Sequence, residues 1–517
     1  MDDQGTVSDT REPHGSHEPH GSHDRTQRPH DDPPPDPPPA PNAPPAPAKV
    51  SERDHAVVLG AGMAGLLAAR VLAGRFSRVT LVERDALGEP APALRPGLPQ
   101  SRHAHVLWSK GLALMEGLLP GVRADLEAAG ARVLETPRDF LWLSPADWFG
   151  QVPGDHVLIG SRELLDWTVR QAVLRHPRIR LLAGAEATGL LGTSDGRAVR
   201  GVTLRARSGA GPDAVPETLS AALVVDAGGR TSRAPAWLEA LGFPAPEVTR
   251  YDSKLGYASR YYGPLPSAGR AWQGMYVQGR PDAPRGGVLL PLEDGRWMAT
   301  LIGNGRHAPP VGDAEFLAFA KELRSPALYE ALCAAEPVSP ATAFRSTANE
   351  WRHYEKLDRR PDGFVVVGDA TCRFNPVYGH GMTVAAAAAE ALGEAIRALP
   401  VHAVPAAVGE IQRRIAGSAE VAWQIATSED LRYPETEGPP PGRATRVMQG
   451  FMSRVMAAAN RDPAIARRFF GVLSLTAPPN TLLSPAVLVR VLSHRRLPTA
   501  PVAPAYPAHH GPLPGGS

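Results

Sequence analysis

The chain has 517 residues, a formal net charge of +2 at pH 7 and two cysteines, Cys333 and Cys372. This length allows two or three domains with a large core. A charge so close to zero argues against nucleic-acid or membrane binding through bulk electrostatics, and two cysteines supply neither a disulfide framework nor a metal site. The apolar runs are too short for a transmembrane helix and no secretory signal is visible, so we expect a cytoplasmic protein without stable membrane insertion.

The first 52 residues are rich in proline and histidine and contain almost no large apolar side chains. Such a segment cannot bury enough surface to offset chain entropy, so we predict a disordered tail over 1–52 and a second one over 496–517. The hexapeptide EPHGSH occurs twice in tandem, at 12–17 and 18–23. It could be a metal-binding tract or a low-complexity extension, and we favour the extension.

Residues 56–85 combine a short apolar strand, the turn Gly60-x-Gly62-x-x-Gly65, an apolar helix and a second strand that ends at Glu83. This order is typical of a dinucleotide-binding βαβ unit, with an ordinary glycine-rich turn as the alternative. Gly60 permits a tight turn, Gly62 lets the backbone approach a pyrophosphate, and Gly65 lets the helix pack close to the strand. The helix N-terminus offers free N–H groups to the phosphates, and Glu83 can accept hydrogen bonds from ribose hydroxyls.

The loop over 94–108 concentrates hydrogen-bond donors, namely Arg95, Gln100, Arg102, His103 and His105. We expect contact with a cofactor phosphate or with a flavin edge rather than a metal site, because no third ligand with suitable spacing lies nearby. A plain surface loop is the alternative.

The next predicted helix begins after Ser161, a suitable N-cap, and places Leu165, Val169 and Val173 on one face. Arg162 then lies in the first turn, where the helix dipole disfavours a cation. An anionic partner such as a cofactor diphosphate would account for this placement, and an exposed arginine is the alternative.

Residues 178–226 alternate like a short antiparallel meander and end in an apolar strand over 223–226. The segment DAGGRTS, residues 226–232, follows directly. A glycine loop at the carboxyl end of a buried strand is where ligands bind in open α/β sheets.

Residues 250–305 are rich in tyrosine, and we predict a separate antiparallel sheet, one face of which could cover a pocket. An aromatic-rich structural sheet is the alternative. The expected strands are 255–262, 272–278, 287–292 and 297–302.

Residues 363–397 return to the pattern of residues 56–85. A buried strand over 364–367 ends at Gly368-Asp369, and a turn through Gly379 leads into an alanine-rich helix that starts at Met382. An acid at a strand end accepts hydrogen bonds from a polyol, and a helix start presents N–H groups to an electron-rich group. Beyond this helix the pattern is helical again, with expected helices at 405–428, 443–459 and 463–475.

The two glycine turns lie about three hundred residues apart in the chain. We interpret them as the two ends of one long dinucleotide site, with ADP at 60–83, a ribityl chain at Asp369 and a ring system against the helix start at 379–383. FAD has this layout. Because we find only one GxGxxG, we expect no separate Rossmann domain for NAD(P)H.

The chain resembles the group A flavoprotein monooxygenases over roughly residues 55–400, through the motifs VVLGAGMAGLLAA…VERD, DAGGRTS and GDATCRFNPVYGHGMT. More narrowly, it is similar to the flavin-dependent epoxidases of polyether ionophore biosynthesis through LRPGLPQSRHAHVLWSKGL, SRELLDWTVR, FNPVYGHGMT and AWQIATSEDLRYP. His380 stands where many aromatic hydroxylases of the family have glutamine. The WxWxIP motif of tryptophan halogenases is absent from the sequence.

Motifs and resemblance together predict an α/β fold with α+β elements. A Rossmann-type FAD-binding domain with βαβ units and a β-meander would span 53–245 and 340–400. An antiparallel substrate domain would span 246–339, and a helical region 401–495.

The resemblance implies FAD as the cofactor, NAD(P)H and O2 as co-substrates, and no metal. The residues expected at the FAD are Gly60, Gly62, Met63, Ala64, Gly65, Glu83, Arg84, Arg102, Arg162, Asp369, Pro376, Gly379, Gly381, Met382 and Thr383.

The resemblance also implies a reaction. NAD(P)H would reduce FAD, O2 would add at flavin C4a, and the hydroperoxide would pass one oxygen to an alkene. The expected substrate is a polyketide or polyene of secondary metabolism, such as polyether antibiotic biosynthesis, either free or bound to a carrier protein. Epoxidation needs no general base, so no catalytic residue is assigned beyond proton delivery by His380. The alternatives are an aromatic hydroxylase or halogenase, and an FAD-dependent reductase without oxygenase activity.

Overall fold

The computed structural model describes residues 54–207, 217–266 and 271–493, which belong to one compact unit that begins at Val50. The predicted tails, 1–52 with its EPHGSH repeat and 496–517, lie outside the described residues. Within the described ranges, no helix combines the length and the apolar character that crossing a membrane requires.

The strands of the described residues are, in chain order, β1 His55–Leu59, β2 Arg78–Glu83, β3 Val106–Trp108, β4 Arg132–Thr136, β5 Phe140–Leu143, β6 Asp155–Ile159, β7 Ile179–Ala183, β8 Ala185–Gly192, β9 Val199–Ala206, β10 Thr218–Ser220, β11 Leu223–Asp226, β12 Val248–Tyr251, β13 Gly256–Tyr262, β14 Gly274–Val277, β15 Arg285–Pro291, β16 Trp297–Gly303, β17 Thr342–Phe344, β18 Asn349–Arg352, β19 Phe364–Val366 and β20 Cys372–Arg373.

The α-helices are α1 Met63–Leu72, α2 Ser109–Leu118, α3 Val122–Ala128, α4 Arg162–Leu174, α5 Ala234–Ala240, α6 Asp313–Lys321, α7 Ala327–Cys333, α8 Gly381–Arg397, α9 Val408–Asp430, α10 Arg443–Ala459, α11 Pro463–Leu473 and α12 Pro485–Ser493.

A parallel sheet with the strand order β19-β11-β1-β2-β7 forms the first half of the fold. Every residue of β1 is buried because both faces of the sheet are covered. Val58 packs with Leu66 of α1, while Val57 faces the opposite side and packs with Val202 and Trp237. The order places the carboxyl ends of β1, β11 and β19 side by side, although β19 lies far from β1 in the sequence.

The prediction of one antiparallel meander over 178–226 is correct only for β8–β10, which form their own antiparallel sheet. β7 instead pairs in parallel with β2. The reason is the preceding helix α4, which returns the chain to the same end of the sheet as a βαβ crossover.

A second, largely antiparallel sheet has the order β17-β13-β16-β15-β14-β5. The strands expected at 255–262, 272–278, 287–292 and 297–302 are confirmed as β13–β16. The sequence analysis missed β5, which joins the edge of this sheet by pairing in parallel with β14.

Alternate residues of the antiparallel sheet face opposite sides, as the strand repeat requires. Leu289 and Leu301 pack with Phe316 of α6 and Leu328 of α7 on the outer face. The inner face lines a cavity through Tyr276, Val288, Leu290, Thr300 and Ile302.

The predicted C-terminal helices are observed as α9, α10 and α11. Helix α9 begins at Val408, later than expected, because residues 401–407 form a 3₁₀ helix that contains Pro405. Ile411 and Ile415 of α9 share a core cluster with Leu392 of α8. The smaller sheets have the orders β12-β18-β20 and β3-β6-β4. The domain boundaries given above remain a prediction.

Candidate functional site

A cavity of about 710 Å³ lies between the carboxyl ends of the parallel strands and the inner face of the antiparallel sheet. Both glycine turns open into it: Gly62 lies just before α1, and Gly381 is the first residue of α8. Glu83 and Asp369 line the same cavity. The two turns, remote in sequence, are therefore brought together by the strand order of the sheet.

The early turn shows what each of its glycines does. Gly60 has φ +98°, and a Cβ there would lie 2.7 Å from the carbonyl oxygen of Ala227. A Cβ on Gly65 would overlap the carbonyl oxygen of Gly60. Gly62 is different, since its φ of −78° suits any residue and a Cβ would meet no heavy atom within 4 Å. The protein does not need glycine at 62 for its own packing, so the open space in front of it fits a ligand that comes close to the backbone.

Glu83, at the end of β2, is held by its surroundings. Its carboxylate accepts hydrogen bonds from the backbone N–H groups of Ala61 (2.7 Å) and Asp85 (3.0 Å), and from the Arg95 guanidinium (3.0 Å). A carboxylate offers about four lone-pair sites, so Glu83 keeps capacity for one more donor. This acceptor faces the cavity, as a ribose partner must.

Arg95, expected to be a direct cofactor contact, forms the centre of a buried ion network. It donates to Asp166 (2.8 Å), to Glu83 and to the carbonyl oxygen of Ala61 (3.0 Å), and lies 3.4 Å from Asp85. Burial lowers the pKa of Arg95, but the carboxylates of Asp166, Glu83 and Asp85 raise it above its ordinary value. Although Arg95 also lines the cavity, its charge is already balanced, so it orients Glu83.

Arg162 is also a buried cation, but unlike Arg95 it has no ion pair among the described residues. It lies in the first turn of α4, after Ser161, whose hydroxyl accepts from the N–H of Leu164 (3.1 Å). Arg162 lines the cavity and is 6% exposed. Among the residues that the structure describes, its guanidinium has no hydrogen bond or ion pair, and its Nε is buried without a partner. Burial lowers its pKa, opposed by the charges of Asp166 and Asp369. A buried, unpaired guanidinium at a cavity wall fits an anionic group such as a phosphate.

Asp369 follows β19 in the short turn 368–370, and its carboxyl group lines the cavity. The residue is exposed to the cavity, and desolvation by the surrounding protein raises the pKa of Asp369, against the opposing charges of Arg162, Arg373 and Arg230. An acceptor at this place, next to three arginines, suits a hydroxyl-rich ligand.

The late turn, like the early one at Gly62, has open space in front of a glycine at a helix start. A Cβ on Gly381 would meet no heavy atom within 4 Å, although the residue begins a helix whose first N–H groups lack intrahelical acceptors. Pro376, Gly379 and Met382 line the cavity beside it. The space in front of this helix start is therefore available to an electron-rich group.

The remaining predicted residues are placed as follows. Met63, Ala64 and Arg84 line the cavity, with Arg84 exposed. Gly65, Arg102, Thr383 and His380 do not line it. Gly65 lies behind the turn, Arg102 is exposed, and Thr383 is fully buried.

His380 points away from the cavity that it was expected to serve. It is 1% exposed, and its Nε2 donates to the carbonyl oxygen of Leu473 (2.8 Å), so it connects the start of α8 with the end of α11. Burial lowers the pKa of His380 to about 4.

Arg230, which the sequence analysis did not single out within DAGGRTS, lines the cavity from the turn after β11. Its guanidinium lies 5.3 Å from the ring centroid of Phe344 and donates to Ser346. An arginine directly after two glycines at a strand end was the signal available in the sequence.

His103 and His105 line the cavity, in agreement with the donor-rich loop. His103 pairs with the hydroxyl of Ser259 (2.8 Å), and its ring meets that of Tyr257 edge to face at 4.6 Å. Burial lowers the pKa of His103 to about 4 and that of His105 to about 3. Both rings are therefore neutral near pH 7.

A buried polar cluster behind the late turn was also missed. Asp430, the last residue of α9, accepts from Asn349 (2.7 Å), Asn375 (3.1 Å) and the hydroxyl of Tyr378 (2.7 Å). Burial raises the pKa of Asp430 to about 6, although these hydrogen bonds lower it. An acid in the last helical turn opposes the helix dipole, which was the signal in the sequence. The cluster holds segment 375–378 against α9.

Comparison with known proteins identifies a relative that covers most of the chain. No protein-family model matches the chain. Protein Rv3254 of Mycobacterium tuberculosis (strain ATCC 25618 / H37Rv) is 33% identical over 451 residues, covering 86% of this chain and 94% of that protein. The chain belongs to the family of Protein Rv3254.

Solved structures share the fold at low sequence identity. The flavin-dependent brominase Bmp2 matches with a TM-score of 0.58 and 14% identity, over 86% of this chain and 98% of that one. PqsL of Pseudomonas aeruginosa, a probable FAD-dependent monooxygenase, matches with a TM-score of 0.53 and 18% identity, over 73% of this chain and 97% of that one. The p-nitrophenol 4-monooxygenase PnpA of Pseudomonas putida DLL-E4 matches with a TM-score of 0.56 and 17% identity, over 81% of this chain and 98% of that one. The predicted fold class is confirmed: the chain has the mixed α/β fold of these proteins, with a Rossmann-type parallel sheet and a second, antiparallel sheet.

Proposed function

We propose that the protein binds FAD in the 710 Å³ cavity and acts as a flavin-dependent monooxygenase. The observation that carries this proposal is the continuity of one cavity from the open space at Gly62 to the open space at Gly381, with the unpaired guanidinium of Arg162 on its wall. The likeness to flavin-dependent enzymes of the same fold supports it.

The residues present fit FAD from end to end. The N–H groups of Met63 and Ala64 at the start of α1, together with Arg162, would hold the diphosphate. Glu83 would accept from the adenosine ribose, with Arg84 at the rim. Asp369 would accept from the ribityl hydroxyls. The ring would lie against the late turn, contacting Pro376, Gly379, Gly381 and Met382.

When bound, FAD supplies electron uptake from NAD(P)H and activation of O2 for transfer of one oxygen atom to the substrate. The first N–H groups of α8 would stabilise negative charge on a reduced ring. The side chains of the antiparallel sheet exclude water and orient the substrate. His103 and His105 are neutral near pH 7 and offer hydrogen bonds without adding charge.

For the substrate, we propose an alkene of a polyketide or polyene, epoxidised in secondary metabolism. The support is the apolar and aromatic character of the wall opposite the late turn, which includes Trp142, Tyr257, Tyr276, Leu290 and Ile302. Within the described residues, the strands of the antiparallel sheet contribute no carboxylate, lysine or arginine to this wall. Such a wall suits a neutral alkene, whose epoxidation requires no general base.

Aromatic hydroxylation or halogenation is the second candidate function. It is favoured by the likeness to PnpA, a p-nitrophenol 4-monooxygenase, and to Bmp2, a flavin-dependent brominase. The cavity walls, rich in aromatic side chains, would also accept a ring.

The two functions are separated by product analysis with labelled oxygen. The purified full chain, loaded with FAD, is supplied with NADPH or NADH and ¹⁸O2, once with a non-aromatic trisubstituted alkene and once with a phenol. We expect about one FAD per chain and one labelled oxygen in the alkene product. Label in the phenol alone would establish a hydroxylase. With bromide also supplied, bromine in the phenol product would establish a halogenase. Reduction of FAD with neither label nor bromine in either product would establish a reductase and overturn the oxygenase proposal.

A further inference from the structure

A second cavity, of about 610 Å³, lies behind the first one, between the antiparallel sheet and helices α9 and α10. Four residues line both cavities: Tyr276, Ile302, Val377 and Tyr378. The two cavities are therefore separated by single side chains rather than by a layer of backbone. A ligand that displaced one of these side chains could occupy both.

The two tyrosines of this wall differ in how firmly they are held. The hydroxyl of Tyr378 donates to Asp430 (2.7 Å), and its carbonyl oxygen accepts from the indole N–H of Trp108 (3.1 Å). The hydroxyl of Tyr276 has no hydrogen bond to any residue in the described part of the chain, and its ring rests against that of Trp142 at 5.2 Å. Burial raises the pKa of Tyr276, so the hydroxyl stays neutral. Of the two tyrosines, Tyr276 is therefore the one whose side chain can move without breaking a hydrogen bond to a described residue.

Most of the charges that line the second cavity are paired, and the exception among the described residues, Arg446, is exposed to solvent. Arg432 pairs with Glu429 at 2.9 Å, and Arg280 pairs with Asp282 at 2.8 Å. The carboxylate of Asp430 is engaged by its three donors. Arg446 lines the cavity from the exposed side of α10. A charged group in the buried part of this space would lose its hydration beside ions that already have partners, which disfavours it.

The second cavity also contains a hydrogen-bond donor that no described residue uses, the neutral side-chain amide of Asn304. Asn304, directly after β16, is 6% exposed, and its amide nitrogen is buried without a hydrogen-bond partner among the described residues. Buried polar groups in native proteins are nearly always satisfied by protein or by ordered water, so a donor at a cavity wall without a protein partner is available to an acceptor of a ligand. Neutral oxygen atoms of an ester, a ketone or an ether are such acceptors.

We propose that the second cavity binds the oxygen-bearing end of an elongated, neutral substrate whose alkene lies in the first cavity, and that Tyr276 is the movable part of the wall between them. This inference deepens the proposed function and rests on it. It defines the substrate class as a chain too long for the first cavity alone, with a carbonyl or ether oxygen for Asn304.

The experiment uses three neutral alkene esters of increasing length, prenyl, geranyl and farnesyl acetate, and two variants of the full-length holoenzyme. Asn304→Leu removes the free donor. Ser453→Phe fills the cavity from α10, where Ser453 is exposed at its edge. Arg454→Phe is the matched control, since Arg454 is exposed on the same helix but does not line the cavity.

We expect both test variants to lower kcat/KM for farnesyl acetate by about tenfold and to change that for prenyl acetate by less than about twofold. The control should leave both values unchanged. Tyr276→Ala should raise the ratio of kcat/KM for farnesyl acetate to kcat/KM for prenyl acetate, because it removes the side chain between the two cavities. The proposal would be overturned if the two test variants lowered kcat/KM equally for prenyl and farnesyl acetate, or did not lower it for farnesyl acetate.

Equilibrium dialysis separates failure of this inference from failure of the oxygenase proposal, because it needs no turnover. If wild-type protein binds farnesyl acetate more tightly than prenyl acetate, and Asn304→Leu and Ser453→Phe abolish that preference, the second cavity is an elongated-ligand site even where no ester is oxygenated. Equal affinities of the wild-type protein for the two esters would refute it.

Discussion

The two ends of the cavity are built in different ways. The end at Gly62 comes from one continuous stretch, since β1, the turn, α1 and β2 all lie within residues 55–83. The end at Gly381 depends on remote parts of the chain: α8 supplies the helix start, α9 supplies Asp430, and the antiparallel sheet supplies the facing wall. The first end is a local motif, whereas the second is an assembly of elements that must fold together.

Two buried arginines make this comparison testable, because one is paired and the other is not. Arg95 belongs to the structure of the early end, and its charge is balanced by three carboxylates. Arg162 has no partner among the described residues. Replacing each by methionine, which has a similar length and no charge, should therefore have opposite effects on the stability of the cofactor-free protein.

Arg95→Met should have the largest effect on stability. It leaves the buried carboxylate of Glu83 without its cation, and Asp166 with the more distant Arg170 at 3.8 Å. Breaking a buried ion pair in this way lowers the free energy of unfolding by about 3–5 kcal/mol. Urea denaturation of the cofactor-free protein measures it. Arg123→Met is the control, because the Arg123–Glu127 pair is half exposed and contributes little. Equal stability of Arg95→Met and the wild type would show that the network does not support the turn.

Gly62→Val should lower FAD affinity by at least about 100-fold, equivalent to about 3 kcal/mol, because its side chain fills the space in front of α1. The purified variant should be colourless, and fluorescence titration with FAD gives the dissociation constant. Gly417→Val on α9 is the matched control, since a Cβ there also meets no heavy atom within 4 Å but lies outside the cavity. A yellow Gly62→Val protein with full flavin content would contradict the cofactor placement.

Arg162→Met should lower FAD affinity by about tenfold to 100-fold, the contribution of about 1.5–3 kcal/mol expected from a charge-assisted hydrogen bond to the diphosphate. The cofactor-free variant should be as stable as the wild type or more stable, because an unpaired buried cation has been removed. The same titration and urea denaturation provide both values. A loss of stability equal to that of Arg95→Met would mean that Arg162 has a structural partner.

The late end should show a smaller, pH-dependent effect through Asp430. Its pKa in the folded protein, about 6, lies above the value of about 3.9 for an unfolded aspartate. Folding therefore favours the protonated form, and this contribution to stability is present below about pH 4 and is lost as the pH rises through 6.

Comparison with Asp430→Asn isolates this effect, because the variant lacks the titrating group while all other groups titrate in both proteins. The free energy of unfolding of the wild type minus that of Asp430→Asn should fall by about 1–3 kcal/mol between pH 4 and pH 7. Urea denaturation at pH 4, 5, 6 and 7 measures this difference. A constant or rising difference would show that Asp430 is charged throughout.

The early end could be predicted from the sequence because its geometry is local. Gly60 makes the tight turn and Gly65 lets the helix pack close to it, as the spacing indicated, and β1, α1 and β2 follow one another without interruption. The predicted approach of Gly62 to a pyrophosphate stays a prediction. The strands β11 and β19 were also predicted, since a short apolar run that ends in a glycine turn is typical of a buried parallel strand. In all these cases, the information lies within a few residues of the feature.

Other features depend on contacts that no local pattern encodes. Arg95 could have faced a cofactor phosphate, but it pairs with Asp166, which lies 71 positions further along the chain. His380 could have faced either side of the helix start, and its hydrogen bond to Leu473 places it away from the cavity. In both cases, a hydrogen-bond partner that is remote in the sequence determines the direction of the side chain.

By itself, the sequence determined the glycine turns, the strands that lead into them and the class of fold, because backbone conformation and apolar periodicity are short-range properties. Tertiary structure alone decided that the two turns open into one cavity and that a second cavity lies behind Tyr276. It also decided that Arg95 has three carboxylate partners while Arg162 has none among the described residues. Cavities and the pairing of buried charges arise from packing between elements that are far apart in the chain, and no pattern within a single element contains them.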